Sequence, residues 1–160
     1  MEIVNGERLV LGTCYYPEHW DESLWRDDLR RMLENGIEVI RIAEFAWSKI
    51  ERYEGVFNYD FFDRFLDAAA EMGMKVIFCT PTATPPAWLT EKYPEVLNAT
   101  MDGVLYRHGG RRHYNYNSPK YQELTRIIVE KSASHYAKHP AIIGWQIDNE
   151  INCEKNEFYS

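Results

Sequence analysis

The 160-residue sequence has little that would suit it to a membrane, a nucleic acid or a metal. No apolar run approaches the ~20 residues a membrane-spanning helix needs. The opening stretch, MEIVNGERLVLGTCYYPEHW, lacks the basic start and long apolar core of a secretory signal. Positive charge is in short supply: 18 Lys and Arg stand against 25 Asp and Glu, a net charge of −7. Phosphate binding needs the opposite excess, so a nucleic-acid partner is not expected. Cysteine is sparse and odd in number, Cys14, Cys79 and Cys153, with no C-x-x-C pair. That excludes a zinc ribbon or a thioredoxin-like motif and fits free thiols in a reducing, cytoplasmic setting. No cofactor is expected either. The first strand-like segment runs into Gly12-Thr13-Cys14-Tyr15-Tyr16-Pro17, where a phosphate loop would need glycines in place of two tyrosines and a proline.

What the sequence does have is apolar and aromatic residues. Hydrophobic residues make up 45% and aromatics 14%, including 11 Tyr and 5 Trp. Such a chain can bury a core, and surplus rings can also line a sugar site. Four short segments rich in β-branched residues read as strands: 8–13, 38–43, 75–80 and 142–147. Their near-continuous hydrophobicity predicts coverage on both faces, as in a parallel sheet. Helical spacing fills the gaps. Residues 20–35 place Leu24, Leu29, Met32 and Leu33 on one stripe, with Asp21 as N-cap and Gly36 past the end. Residues 60–72 turn Phe61, Phe65, Leu66 and Ala69 inward and stop at Gly73. Ser118 and Pro119 open a third helix reaching about Lys138.

ENGIEVIRI (34–42) and EMGMKVIFC (71–79) repeat one plan, a helix ending on glycine and passing directly into a strand. That rhythm predicts a right-handed parallel α/β architecture, and without a phosphate loop after the first strand the (β/α)8 barrel version fits best. In such a barrel chemistry collects at the C-terminal strand ends. The residues there would be Tyr15, Tyr16, Glu18, His19, Trp20, Glu44, Trp47, Trp88, Asp148, Asn149 and Glu150, an acidic and aromatic set suited to a neutral polyhydroxyl ligand. A strand-tip glutamate walled by apolar groups holds a proton more readily and can deliver it to a departing oxygen. Asp-Asn-Glu at a strand end is equally the signature of a helix cap with first-turn acids, and spacing alone leaves both readings open. The run RHGGRRH (107–113) reads either as a solvated basic loop or as a turn sending one arginine inward. Trp47 and Trp88 read as core or as sugar-stacking rings, and Arg41 as half of a buried ion pair or as a neighbour of the catalytic carboxylates.

Five collinear motifs narrow these choices: YYPEHW, RIAEFAWSKIE, CTPTATPPAWL, GGRRHYNYNSP, and KHPAIIGWQIDNE. Together they resemble the catalytic domain of glycoside hydrolase family 42, the β-galactosidases, from about Leu11 to Glu150. The resemblance implies that the chain is the first four βα units of a (β/α)8 TIM barrel, incomplete as given, with residues 1–160 as the N-terminal portion of the catalytic barrel. It also implies retention of anomeric configuration through two glutamates, and a small-molecule β-galactoside as substrate. It implies Glu150 as general acid/base, Asn149 against the sugar 2-hydroxyl and Arg111 in the galactose subsite, with Glu44 and Trp47 as further pocket residues. Arg107 and Arg112 are left as ordinary basic residues. Intact relatives are commonly trimeric, which implies a homotrimer for the full-length protein. Other readings are an α-L-arabinopyranosidase on the same barrel, and a non-catalytic carbohydrate-binding module. Two departures from the family stand out. Some members carry a four-cysteine zinc site, but its first ligand position here is Asn115 and no cysteine cluster follows Glu150, so no metal is expected. The family's nucleophile lies beyond the fourth strand, so the 160 residues alone are expected to be inactive.

Overall fold

The computed structural model describes residues 3–4 and 7–151, with side chains from residue 8 onward; Cys153 lies outside the described residues. The chain divides into two compact units. The first comprises residues 1–42, 60–79 and 138–145; the second comprises 43–59, 80–137 and 146 onward.

The first unit is built on a four-stranded sheet. Its strands are β1 (Leu11–Cys14), β2 (Ile37–Ile42), β3 (Lys75–Cys79) and β4 (Ile142–Gln146), adjacent in that order. β1 pairs with β2 and β2 with β3 in parallel, with Cys14 opposite Arg41 and Val39 opposite Lys75. The N–H of Val76 donates to the Ala141 carbonyl at 2.8 Å and that of Thr80 to the Gln146 carbonyl at 2.9 Å, so β3 and β4 advance together as parallel neighbours. Parallel strands require crossovers, and helices α1 (Trp25–Glu34) and α2 (Asp60–Met72) lie in the first two. Gly36 and Gly73, at φ 79° and 78°, take the left-handed position that ends each helix. The repeated sequence plan is therefore a repeated backbone turn.

Helix phase differs from the expected stripe in two places. The chain enters α1 through a tighter 3-10 turn, Glu22–Leu24, and Asp21 caps that turn by accepting from the Ser23 N–H at 2.9 Å. Three residues per turn instead of 3.6 shifts the inward face. Trp25 and Leu29 are buried while Leu24 stays exposed. In α2 the wholly buried residue is Phe62 rather than Phe61; Phe61 instead sets its edge on Trp25, centroids 5.0 Å apart. Phe62, Phe65 and Leu66 share this core with Ile40, Ile42, Val76 and Phe78 of the sheet. Each such residue contributes about 1.5–3 kcal/mol by leaving water.

Coverage of both sheet faces, expected from the sequence, is incomplete: in the middle strands Ile40, Ile42, Val76 and Phe78 are buried while Val39 and Ile77 on the other face are half-buried, and the outer strands are more open. Leu11 in β1 is 51% exposed and Ile143 in β4 is 57% exposed. All four residues of β1 are exposed, whereas in β4 only Ile143 is exposed and the other four are half-buried. Ile147, expected in the core, is likewise exposed.

The three segments of the second unit each begin where β2, β3 or β4 ends. The first forms a short helix, Trp47–Ile50, and a hairpin, Glu51–Tyr53 with Val56–Phe57. The second holds the long connection after β3, which lacks helical periodicity because it is built from small pieces. These are 3-10 turns at Pro81–Ala83 and Pro94–Val96, a helix at Ala87–Lys92, and isolated bridges Leu97–Tyr114 and Ala99–Leu105. It leads to α3 (Pro119–Tyr136), capped by Ser118 as expected and ending two residues before Lys138. Trp47, Ile50, Tyr114, Tyr121, Leu124 and Ile128 are among its buried residues.

Candidate active site

The tip of β4 is held in an unusual backbone shape. Asp148 and Glu150 have φ of 55° and 50°. The left-handed region is tolerable for Asp and costly for Glu, about 1–3 kcal/mol where a residue is forced there. Side chains from the loop after β3 supply the restraint. The Asp148 N–H donates to Thr80 Oγ1 at 2.7 Å, and Thr82 Oγ1 donates to Asp148 Oδ2 at 2.8 Å. Asp148 Oδ1 accepts from its neighbour's N–H, Asn149, at 2.6 Å. Gln146 Nε2 donates to the Asp148 carbonyl at 2.8 Å and to Asn149 Oδ1 at 3.1 Å. Asn149 is buried; Glu150, the next residue, stands out with its side chain 53% exposed. The apolar run of β4 thus ends in a clamped turn that presents one carboxylate.

Arg111 and Arg112 divide their work. Arg111 pairs with the Glu150 carboxylate and lies over the Phe45 ring, 5.7 Å from its centroid. It lines a cavity of about 320 Å³ with Phe45, Thr84, Pro85, His108 and His113. Burial pushes the His113 imidazole below its ordinary value, and the neighbouring His108 adds to that; the Gly110 carbonyl on its Nδ1 opposes it. Arg112, left as ordinary by sequence reasoning, is 1% exposed. Its Nη1 donates to the Tyr114 hydroxyl at 2.7 Å, to the Tyr116 hydroxyl, and to Asp148 Oδ1 at 3.3 Å. Its Nη2 donates to the Asn149 carbonyl. Burial raises the phenols of Tyr114, Tyr116 and Tyr121, so all three stay neutral. The Tyr114 hydroxyl donates a hydrogen bond to the Ala83 carbonyl at 3.2 Å, and the Tyr121 hydroxyl donates one to the Thr82 carbonyl at 2.8 Å.

The remaining candidates take less direct places. Trp47 is wholly buried against Tyr121, and its indole N–H donates to Glu51 Oε2 at 2.7 Å. The Trp88 indole donates to the Glu51 carbonyl at 3.0 Å. Both rings are thereby engaged by the hairpin, and Trp47 presents no surface to a ligand. Burial raises the Glu51 carboxyl, against the two hydrogen bonds it accepts. Glu44 is wholly buried just past β2, following Ala43 at φ 76°. In the first unit Tyr15 is buried, donating to Asp28 Oδ2 at 2.7 Å and stacking on Phe65, while Tyr16 stacks on His19. Glu18 and Arg41 are half-buried and Trp20 is exposed. Arg112 and its tyrosines escaped sequence reasoning because two adjacent arginines look alike until the backbone turns one of them inward.

The residue at the first zinc-ligand position, Asn115, is buried and uses its Oδ1 to accept the Asn117 N–H at 2.8 Å. A carboxamide so engaged is a poor zinc ligand. Among the described residues no group of three or more His, Cys, Asp and Glu could hold a metal, and no helix is long and apolar enough to cross a membrane.

The family model for β-galactosidases of glycoside hydrolase family 42 matches residues 14–160. The chain belongs to glycoside hydrolase family 42. A β-galactosidase of a Thermus species is 46% identical over 144 residues, 90% of this chain and 22% of that protein. The β-galactosidase of Halorubrum lacusprofundi is 42% identical over 145 residues, 91% of this chain and 21% of that protein. Among solved structures, the β-galactosidase from the psychrophilic Marinomonas ef1 superposes with a TM-score of 0.87 at 43% identity, covering 91% of this chain and 22% of that one. The four parallel strands and the three helices that connect them are thus part of the TIM barrel of family 42, and the chain spans about a fifth of the length of the relatives it matches.

Proposed function

We propose that this chain supplies the proton-transfer side of a retaining β-galactosidase, with Glu150 as general acid/base. The observation that carries the reading is the presentation of Glu150. It is a half-exposed carboxylate just past the C-terminal end of a parallel strand, gripped by Arg111 and flanked by the buried amide of Asn149. Barrel enzymes gather their chemistry at that end of the strands. In the first step the Glu150 carboxyl gives its proton to the glycosidic oxygen as the bond from that oxygen to the anomeric carbon breaks. A second carboxylate takes the anomeric carbon. In the second step the ionised Glu150 removes a proton from water, whose oxygen bonds to the anomeric carbon as the second carboxylate leaves. Asn149, neutral over the working pH range, meets the sugar 2-hydroxyl without competing for that proton. Arg111 gives its fork to galactose hydroxyls, and a hydroxyl that takes it over releases Glu150 from its ion pair. Glu44, wholly buried, is not assigned the nucleophile's role.

The test is Glu150→Gln in a complete family 42 enzyme carrying this segment, assayed on phenyl β-galactoside. Loss of a positioned proton donor lowers the rate by about 10²–10⁴-fold. Turnover unchanged by the substitution would remove Glu150 from the mechanism.

A further inference from the structure

We infer that Arg112 is the positioning residue for Glu150, fixing the backbone on which the acid stands while Arg111 holds its carboxylate. The inference rests on the proposed role of Glu150 and extends it to a residue that never meets the sugar. Burying a guanidinium to 1% exposure costs several kcal/mol of hydration. Apolar packing of the same volume would be a cheaper way to fill that space, so a purely structural purpose is a weak explanation. What the charge does there is specific. Nη1 reaches Asp148, the residue whose carboxylate organises the turn, at 3.3 Å. Nη2 reaches the carbonyl of Asn149. That carbonyl belongs to the peptide group joining Asn149 to Glu150, and its orientation sets φ of Glu150, which is 50°. A fork bound to both groups fixes the plane from which the Glu150 side chain departs. Tyr114 and Tyr116 in turn fix the fork by accepting from Nη1.

The opposed directions of the two arginines come from one backbone feature. Arg112 sits at φ 58°, left-handed like the turn it holds. Arg111 pairs with the Glu150 carboxylate, while Arg112 holds the peptide behind it. A lysine at 112 keeps the charge and loses the fork, so it holds one of the two groups at a time.

The experiment is a leaving-group comparison in a complete family 42 enzyme carrying this segment. A galactoside of 2,4-dinitrophenol departs without protonation; one of phenol needs the acid. With Arg112→Lys, a tip free to shift by an ångström lowers kcat/KM on the phenyl substrate by about 10- to 100-fold. The dinitrophenyl substrate changes by less than about 3-fold, since its bond breaks without the proton. Tyr116→Phe removes one of the fork's acceptors and keeps the arginine; it shows the same selectivity at roughly 3- to 10-fold and serves if Arg112→Lys does not fold. Glu150→Gln is measured alongside. If Glu150→Gln is selective and both other variants affect the two substrates equally, or neither, the positioning role is overturned. If Glu150→Gln itself lacks selectivity, the acid assignment falls and takes this inference with it.

Discussion

Replacing Asp148 with Asn tests the turn at the end of β4 with little change of shape. Asn tolerates the left-handed φ of 55° as well as Asp does, so the backbone term cancels. The amide oxygen can still accept the Asn149 N–H, and the Thr82 hydroxyl can rotate to accept from the new NH₂ group. What is lost is the negative charge facing Arg112 at 3.3 Å in a site where the arginine is 1% exposed. Breaking a buried pair costs about 3–5 kcal/mol. The arginine keeps three neutral acceptors, Tyr114, Tyr116 and the Asn149 carbonyl, and the 3.3 Å contact is long. The loss should therefore be near a single charged hydrogen bond, about 2–3 kcal/mol. The assay is hydrogen exchange of the peptide carrying residues 146–151, which reports local opening of this turn. Exchange should quicken by about 30- to 150-fold. On an Arg112→Met background the same change should add less than about 0.5 kcal/mol, because the charge it faced is gone. Equal effects on both backgrounds would refute the pairing as the turn's main restraint.

His113 should make stability fall on acidification. Its folded value lies below that of the unfolded chain, so the unfolded state binds more protons between the two values; stability is complete above about pH 6.5 and is lost below it. Buried Glu51, raised in the fold, has the opposite sign, losing stability as pH rises above the unfolded carboxyl value. Subtracting His113→Gln isolates the histidine: the wild-type melting temperature should drop more steeply than the variant's from pH 7 to about pH 5, and parallel curves would contradict this. The exposed stretch Leu9, Val10 and Leu11 leading through β1, an outer strand, should make the 160-residue chain self-associate. Lys at positions 9 and 11 should restore a monomer in sedimentation, and an already monomeric wild type would refute the claim.

The parts legible in the sequence were those with local causes. Gly36 and Gly73 announced the ends of α1 and α2 because only a left-handed residue serves there, and Ser118-Pro119 announced the start of α3. The parallel strands were legible through their apolar content, and Glu150 through its position at a strand end. Partners distant in sequence were not legible. Arg112 meets Asp148 across 36 positions, and Trp88 meets Glu51 across 37, so nothing local says which arginine turns inward or that the indole is engaged. The exposure of β1 and Ile143 is that of open edges, which four strands of an eight-stranded barrel necessarily leave.

The central claim is that Glu150 gives and takes the proton, and the pH dependence of kcat/KM tests it most directly. In a complete enzyme carrying this segment, the profile should be bell-shaped, with the alkaline limb set by loss of the acid's proton. With the phenyl galactoside as substrate for both proteins, Glu150→Gln should abolish the alkaline limb and leave the acidic one. An alkaline limb that survives the substitution would contradict the account.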